Sequence, residues 1–220
     1  MNEEAAKQRA AEAAIEYVRG CETIGVGTGT TVAHFIGLLA AHKGGLDGAV
    51  ASSEETAERL RAVGVRVLEL NAAGPLPVYV DGADEATRHG ELVKGGGGAL
   101  TREKIIAAAS GRFVCMIHRP KLVDVLGAFG LPIEVIPMAR SYVAREIKKR
   151  GGDPVWRQGF VTDNGNHILD VQSLDILDPQ ALETELNQIA GVVTVGLFAH
   201  RRANVLLVGD ETNVETIAAS

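Results

Sequence analysis

Residues 23–39 read TIGVGTGTTVAHFIGLL, and this stretch decides the fold class that we predict. Its first five residues are typical of a short buried strand, and residues 31–39 have the apolar content of a buried helix. The glycines between them allow the backbone to turn sharply or to approach a ligand closely. A strand that passes through glycines into a helix is a typical first unit of a parallel sheet covered by helices.

The same alternation continues along the first half of the chain. Helices are predicted for residues 3–18 and 101–109, and another opens at Ser53. Further strands are predicted at residues 50–52, 65–68, 78–80 and 113–117. Strands that alternate with helices predict an α/β fold with a mostly parallel, Rossmann-like sheet and helices on both faces.

The pattern changes near Leu131. Strands are predicted at residues 132–136, 154–160, 167–172 and 192–197, and helices at 138–150 and 179–189. The order β-α-β-β-α-β is that of a ferredoxin-like unit, and Asn164-Gly165 is a typical hairpin turn. Residues 205–208 form one more strand that returns to the main sheet. We therefore expect an α/β catalytic domain of residues 1–130 and 199–220, with a small α+β domain of residues 131–198 inserted near the C-terminus.

Composition limits the possible functions. The chain has 220 residues, 46% hydrophobic and 23% charged, which suffices for a core, and its net charge of −6 argues against a general nucleic-acid binder. Residues 1–18 carry acidic side chains and do not resemble a secretory signal, and no apolar run is long enough to span a membrane. The two cysteines and six histidines show no disulfide framework and no metal-ligand spacing. We expect a cytoplasmic protein with no metal, no membrane contact and no nucleic-acid partner.

Glycine is in excess, at 26 residues, and is clustered. The first cluster is GVGTGTT at residues 25–31, between a strand and a helix. It has neither the spacing of a dinucleotide fingerprint nor the lysine of a nucleotide P-loop. A phosphate or carboxylate cradle at the helix N-terminus fits the pattern, and a tight turn without a ligand is the alternative.

Two polar stretches follow strands of the predicted sheet. Ser52-Ser53-Glu54-Glu55-Thr56 is either an ordinary helix N-cap or part of a ligand site at the carboxyl edge of the sheet. The stretch DGADE, residues 81–85, places three carboxylates in five residues. These carboxylates are suited to binding a metal, holding sugar hydroxyls or tuning a base, and a solvated acidic loop is the alternative.

The most informative stretch is KGGGGALTREK, residues 94–104. Four consecutive glycines are costly in chain entropy, and flexible linkers are their usual explanation. Here a helix follows at once and Lys94 precedes them, which favours an oxyanion-binding loop with a cation beside it. Glu103 lies in the first helical turn, where it either caps the helix or faces a pocket as a base. Lys7 and Lys121 are either surface lysines or additional positive charge for a phosphate.

Taken together, these stretches resemble ribose-5-phosphate isomerase, type A, in order and spacing and over essentially the whole chain. The resemblance rests on residues 25–31, 52–56, 81–85, 94–104, 133–137 (IEVIP) and 162–166 (TDNGN). The combination of the DGADE and KGGGGALTREK stretches is highly specific for this family.

The resemblance implies the interconversion of D-ribose 5-phosphate and D-ribulose 5-phosphate in the non-oxidative pentose phosphate pathway, with no cofactor, by a homodimer or a dimer of dimers. It implies that Glu103 is the proton acceptor, assisted by Asp81, Asp84 and Lys94. The substrate-binding residues that we predict are Thr28, Gly29, Thr30, Thr31, Asp81, Gly82, Ala83, Asp84, Lys94, Gly95, Gly96, Gly97, Lys121 and Lys7.

Two positions depart from the family pattern. Thr30 stands where the family usually has serine, which preserves a hydroxyl for the phosphate. Val195 stands where a polar residue is expected, and we expect this change to affect the small unit or an interface rather than the chemistry.

Two other functions are compatible with similar folds. One is a non-catalytic sugar-phosphate sensor domain, and the other is acyl-CoA transfer through a glutamate nucleophile.

Overall fold

The computed structural model describes residues 2–42, 44–174 and 176–219. The helices are α1 (Glu3–Val18), α2 (Thr30–His42), α3 (Glu54–Ala62), α4 (Leu70–Ala73), α5 (Leu100–Ala108), α6 (Arg140–Lys149) and α7 (Pro179–Asn187). The strands are β1 (Thr23–Val26), β2 (Gly48–Ala51), β3 (Leu76–Gly82), β4 (Glu85–Ala86), β5 (Leu92–Val93), β6 (Ser110–His118), β7 (Leu131–Val135), β8 (Asp153–Trp156), β9 (His167–Gln172), β10 (Val192–Val195), β11 (Leu197–Phe198), β12 (Val205–Gly209) and β13 (Val214–Ala218).

The main sheet has the strand order β13-β12-β6-β3-β1-β2 and is parallel except for β13. Side chains alternate along its strands: Val78 and Val80 of β3 pack with α1 and α2, whereas Tyr79 faces the opposite core with Ile106 of α5. The sheet is therefore covered on both faces, and the predicted fold class is confirmed.

A second sheet is formed by the predicted β-α-β-β-α-β segment. Its order is β10-β7-β9-β8 and all of its pairs are antiparallel, which is the arrangement of a ferredoxin-like unit. Its core is packed by apolar side chains of α6 and α7, and it includes Val195, which is fully buried. The packing there explains how an apolar residue is accommodated at this position. The division of the chain into two domains with the bounds given above stays a prediction.

Three strand predictions were wrong in extent. Residues 65–68 form only one isolated bridge, between Val67 and Ala49 at the edge of the main sheet. The strand predicted for 154–160 ends at Trp156, before a turn in which Gly159 has φ of +73°. The strand predicted for 192–197 is interrupted at Gly196, and β11 beyond it pairs with β5 in a separate three-stranded sheet, β11-β5-β4.

Gly196 connects the four-stranded sheet to the main chain of Lys94. Its N–H donates to the carbonyl of Pro132 at 2.7 Å, and its own carbonyl accepts from the N–H of Lys94 at 2.8 Å. A Cβ at this position would lie 2.3 Å from the Lys94 carbonyl oxygen, so the backbones meet only because residue 196 has no side chain. The strand break therefore fixes the main chain of Lys94.

Candidate functional site

The floor of the site is Asp81, at the carboxyl end of β3. The side chain is fully buried, and its Oδ1 accepts from the N–H groups of Thr28 at 3.1 Å and Gly82 at 2.7 Å. Its Oδ2 accepts from the hydroxyl of Tyr79 and lies 2.7 Å from Nζ of Lys94. All the hydrogen bonds of this carboxylate are therefore made within the protein.

Lys94 connects Asp81 to the helix that follows the glycines. Its ammonium is 3% exposed, donates to the carbonyl of Gly82 at 2.7 Å and lies 3.2 Å from Oε2 of Glu103. Burial alone would lower the pKa of this ammonium, but the negative charges of Asp81 and Glu103 raise it above its ordinary value. Lys94 is therefore a fixed positive charge at the bottom of the site.

Glu103 lies in the first turn of α5 and is 4% exposed. It does not cap its helix, so the pocket-facing alternative of the sequence analysis is the one that the structure supports. Burial, together with the negative charge of Asp81, raises the pKa of its carboxyl to about 8, against the opposing effect of Lys94. Within the part of the chain that the structure describes, Oε2 is buried and pairs with the Lys94 ammonium at 3.2 Å without a well-directed hydrogen bond. A carboxylate of this kind is suited to taking up and returning a proton near neutral pH.

The glycines after Lys94 form a loop over Asp84. Gly95 and Gly98 have φ of +107° and +82°, which favour glycine. The N–H of Gly96 donates to Oδ2 of Asp84 at 2.8 Å, and a Cβ on Gly96 would lie 2.6 Å from Oδ1 of the same carboxylate. The linker alternative therefore does not hold, because this loop is folded against a carboxylate.

A hydroxyl cluster supports the other glycine loop, between β1 and α2. Oγ1 of Thr28 lies 2.7 Å from the Ser52 hydroxyl, 2.9 Å from that of Ser53 and 3.1 Å from that of Thr56. The Ser53 hydroxyl also accepts from the N–H of Thr56, so Ser53 is the N-cap of α3, as predicted. The second motif thus acts both as a cap and as a support for Thr28.

A cleft of about 140 Å³ opens between these loops. Its lining contains most of the predicted site residues: Thr28, Gly29, Thr30, Thr31, Gly82, Ala83, Asp84, Lys94, Gly95, Gly96, Gly97, Glu103 and Lys121. Lys121 donates to the carbonyl of Ala83 at 2.6 Å, and burial lowers the pKa of its ammonium. The cleft therefore combines two cations, a buried carboxyl and a helix N-terminus.

Two predicted residues do not line this cleft. Asp81 lies beneath it, as described above. Lys7 is buried on α1, where its ammonium lies 2.7 Å from Glu3 and 3.2 Å from Glu4. Burial alone would lower the pKa of Lys7, but these two carboxylates raise it, so the ammonium stays charged while paired with its own helix.

Glu134 on β7 is a fully buried carboxylate that the sequence analysis quoted only as part of a motif. Its Oε1 accepts from the Thr162 hydroxyl at 2.9 Å and from the side-chain amides of Asn164 at 3.2 Å and Asn166 at 2.8 Å. Its Oε2 accepts from the hydroxyl of Thr101, two residues before Glu103. The IEVIP motif (133–137) and the TDNGN motif (162–166) are thus joined through the Glu134 carboxylate, next to the first turn of α5.

Tyr79 and Arg157 were also missed. The sequence pattern places Tyr79 in the strand predicted for 78–80 and Arg157 in the strand predicted for 154–160, and nothing in the local pattern marks either as part of the site. Each reaches it through a contact between elements distant in sequence, with Asp81 and with the glycine loop respectively.

Two structural features are absent from the described residues (2–42, 44–174 and 176–219). None of their helices is both long and apolar enough to cross a membrane. Their His, Cys, Asp and Glu side chains form no group of three or more placed to hold a metal ion.

Comparison with known proteins identifies the family. The model of the family ribose 5-phosphate isomerase A (phosphoriboisomerase A) matches residues 48–213. The structure of ribose 5-phosphate isomerase A from Neisseria gonorrhoeae is similar with 42% identity and a TM-score of 0.97, over 100% of this chain and 98% of that one. The enzyme from Methanocaldococcus jannaschii has 35% identity and a TM-score of 0.91, over 97% and 98% of the two chains.

A third solved structure is D-ribose-5-phosphate isomerase in complex with phospho-erythronic acid. It has 35% identity and a TM-score of 0.94, over 99% of this chain and 100% of that chain. The resemblance inferred from the sequence motifs is confirmed by these matches, and they favour an isomerase over a sugar-phosphate sensor. The family model matches most of this chain, and solved relatives with more than 30% identity match nearly all of it. This chain therefore belongs to the ribose 5-phosphate isomerase A family.

Proposed function

We propose that Glu103 is the base with which this aldose–ketose isomerase interconverts D-ribose 5-phosphate and D-ribulose 5-phosphate. Moving the carbonyl between C1 and C2 requires a proton to be taken from one carbon and returned to its neighbour, by way of a cis-enediolate. A single carboxylate that lies over both carbons can do both. The observation that carries the proposal is the buried Glu103 carboxyl beside Lys94 at the base of the cleft, with its pKa raised to about 8.

Lys94 supplies the positive charge for the developing oxyanion. Its ammonium is held by Asp81 and the Gly82 carbonyl before substrate arrives, so no reorganisation is needed as charge develops on the sugar oxygen. Asp81 has no free oxygen for a sugar hydroxyl, and we assign to it the positioning of Lys94. Asp84 lines the cleft and is the candidate for binding hydroxyls, opening the sugar ring and relaying the proton between O1 and O2.

The phosphate is bound at the N-terminus of α2. Residues 28–31 present backbone N–H groups and hydroxyls there, and the helix dipole favours an anion. Lys121 adds positive charge on the same cleft. Because the phosphate is remote from C1 and C2, its binding energy orients the reacting carbons under Glu103. Lys7 stays a predicted phosphate contact, which would require its ammonium to leave Glu3 and Glu4.

The direct test is incubation of the purified protein with ribose 5-phosphate while the appearance of the ketose is followed. We expect turnover with excess chelator present, since no step above uses a metal. A protein that binds the sugar phosphate without forming ketose would support the sensor alternative. Transfer of an acyl group from coenzyme A would support the transferase alternative. The ligand of one relative, phospho-erythronic acid, is expected to occupy this cleft and to inhibit competitively.

Thr31→Ala is expected to raise KM for ribose 5-phosphate about tenfold with a smaller fall in kcat, because a hydrogen bond to a charged group is lost far from the reacting carbons. Steady-state kinetics measure both constants. Thr184→Ala, on the exposed face of α7, is the matched control. An unchanged KM would place the phosphate elsewhere.

The pH dependence follows from the raised pKa of Glu103. The base must be ionised, so kcat/KM is expected to rise about tenfold per pH unit below pH 8 and to level off above it. A profile of kcat/KM for the wild-type enzyme, corrected for the ionisation of the substrate phosphate, measures this. A rate already level at pH 6 would mean that the base has the pKa of an ordinary carboxyl.

The location and the assembly of the protein are also proposals. A homodimer, or a dimer of dimers, is what the family resemblance implies, with a small sugar phosphate as substrate and no cofactor, and a cytoplasmic location is what the sequence analysis predicts. Equilibrium sedimentation of the purified protein distinguishes the two assemblies.

A further inference from the structure

Arg157 contacts the glycine loop from the small antiparallel sheet. It follows β8 directly, and its Nη1 donates to the carbonyls of Gly95 at 3.2 Å and Gly96 at 3.0 Å. Its Nη2 also donates to the Gly95 carbonyl, at 3.3 Å. On the other side, its Nε donates to Oδ2 of Asp170 on β9 at 2.9 Å. The guanidinium is therefore clamped between a carboxylate and two main-chain carbonyls.

The two carbonyls are directly connected to the cleft through their peptide units. In a trans peptide the C=O and the N–H of one unit point in opposite directions, and no described peptide of this chain is cis. The unit that carries the Gly95 carbonyl also carries the N–H of Gly96, which donates to Asp84. The unit that carries the Gly96 carbonyl also carries the N–H of Gly97, a residue that lines the cleft.

A glycine loop cannot hold this orientation by itself. It has no side chains to pack, and glycine loses more conformational freedom on folding than any other residue. A charged donor on a carbonyl forms a stronger hydrogen bond than a neutral one, and it polarises the peptide so that the N–H on the far side becomes a better donor. The Arg157 side chain is 20% exposed and lies 5.4 Å from the ring of Phe160, which itself packs on Gly98.

We propose that Arg157 is a positioning residue for catalysis, acting through Gly95 and Gly96 to orient the Asp84 carboxylate and the Gly97 N–H toward the sugar. Asp170 holds the guanidinium in place for this role. The inference rests on the proposed function, because it assigns Asp84 and the glycine loop to the reacting end of the substrate. By this inference the four-stranded sheet contributes to catalysis through Arg157, which follows β8.

The test compares Arg157→Met with Arg150→Met. Arg150 lies on the same small unit and pairs with Glu146 and Glu185, away from the cleft, so this control removes a comparable side chain and its ion pairs. We expect R157M to lower kcat by roughly ten- to a hundredfold, the effect of a small misplacement of reacting groups, with less than a threefold change in KM. R150M is expected to keep wild-type kcat. Arg157→Lys should recover part of the loss, since an ammonium can contact one carbonyl.

The melting temperature of each variant is measured alongside, and kinetics are run well below it. A purely structural contact would lower the melting temperature of R157M and leave kcat at the wild-type value, which would overturn the inference. A wild-type protein that does not isomerise ribose 5-phosphate would instead overturn the proposed function. An active wild type with an equally active R157M refutes only the role of Arg157.

A double-mutant cycle with Asp84→Asn tests the route of the effect. If Arg157 acts through Asp84, the loss of kcat in the double variant is smaller than the product of the two single losses. Losses that multiply fully would show that Arg157 and Asp84 act independently, and the proposed route would be wrong.

Discussion

Glu103→Gln is expected to keep the fold and to lower kcat for ribose 5-phosphate by roughly 10²–10⁴-fold, the usual contribution of a general base. The amide has nearly the same shape as the carboxyl but cannot accept the proton from carbon. Glu183→Gln is the matched control, because Glu183 is a buried carboxylate paired with a lysine, Lys104, outside the cleft. Turnover near the wild-type value in E103Q would remove Glu103 from the reaction.

The stability of E103Q gives an independent readout. Because burial raises the pKa of Glu103 in the folded state to about 8, folding favours its protonated form. The stability this provides is present below the ordinary pKa of a glutamate and is lost as the pH rises through about 8. The free energy of unfolding of E103Q should therefore improve relative to wild type over this range. Denaturant titrations across the same range measure the difference, and a difference independent of pH would contradict the raised pKa.

Lys94→Met is expected to lower the free energy of unfolding by about 3–5 kcal/mol and to abolish most activity, because removing one partner of a buried ion pair leaves uncompensated charge. In this site the substitution removes the ammonium that lies between the carboxyl groups of Asp81 and Glu103. Chemical denaturation measures the change in stability.

The double variant K94M/E103Q tests the cause of this effect. Measured above pH 8, where Glu103 is ionised in the wild type, it should recover part of the lost stability, since only the Asp81 charge then remains unpaired. Lys104→Met, which leaves a single carboxylate behind, is the control for burying a methionine at a lysine position. A K94M protein as stable as the wild type would mean that its ammonium does not neutralise the two carboxylates.

The local features of the fold and the site could be predicted from the sequence. Helix α1 has the predicted bounds, since its capping residue and apolar spacing are local. The first glycine motif lies between β1 and α2 at the carboxyl edge of the parallel sheet, and the second lies between β5, in the three-stranded sheet, and α5. That placement brought Thr31, Asp84 and Glu103 to one cleft.

What escaped prediction depends on contacts between distant segments. Asp81 is hidden because Tyr79, Thr28 and Lys94 use its oxygens, which no spacing rule encodes. Arg157 meets the glycine loop across about sixty residues of chain. The strand break at Gly196 is also tertiary in origin, since the residue is flanked by apolar positions that continue a strand pattern.

The tether between Gly196 and Lys94 constrains attempts at miniaturisation. An engineer who deleted the predicted insertion, residues 131–198, to obtain a more compact biocatalyst would remove both Pro132 and Gly196, and the N–H of Lys94 would lose its acceptor. The main chain of Lys94 would lose that tether, even though Asp81, the Gly82 carbonyl and Glu103, which contact its ammonium, lie outside the deleted segment. Moving this chemistry to another scaffold therefore requires the backbone contact between Gly196 and Lys94 as well as the residues of the cleft.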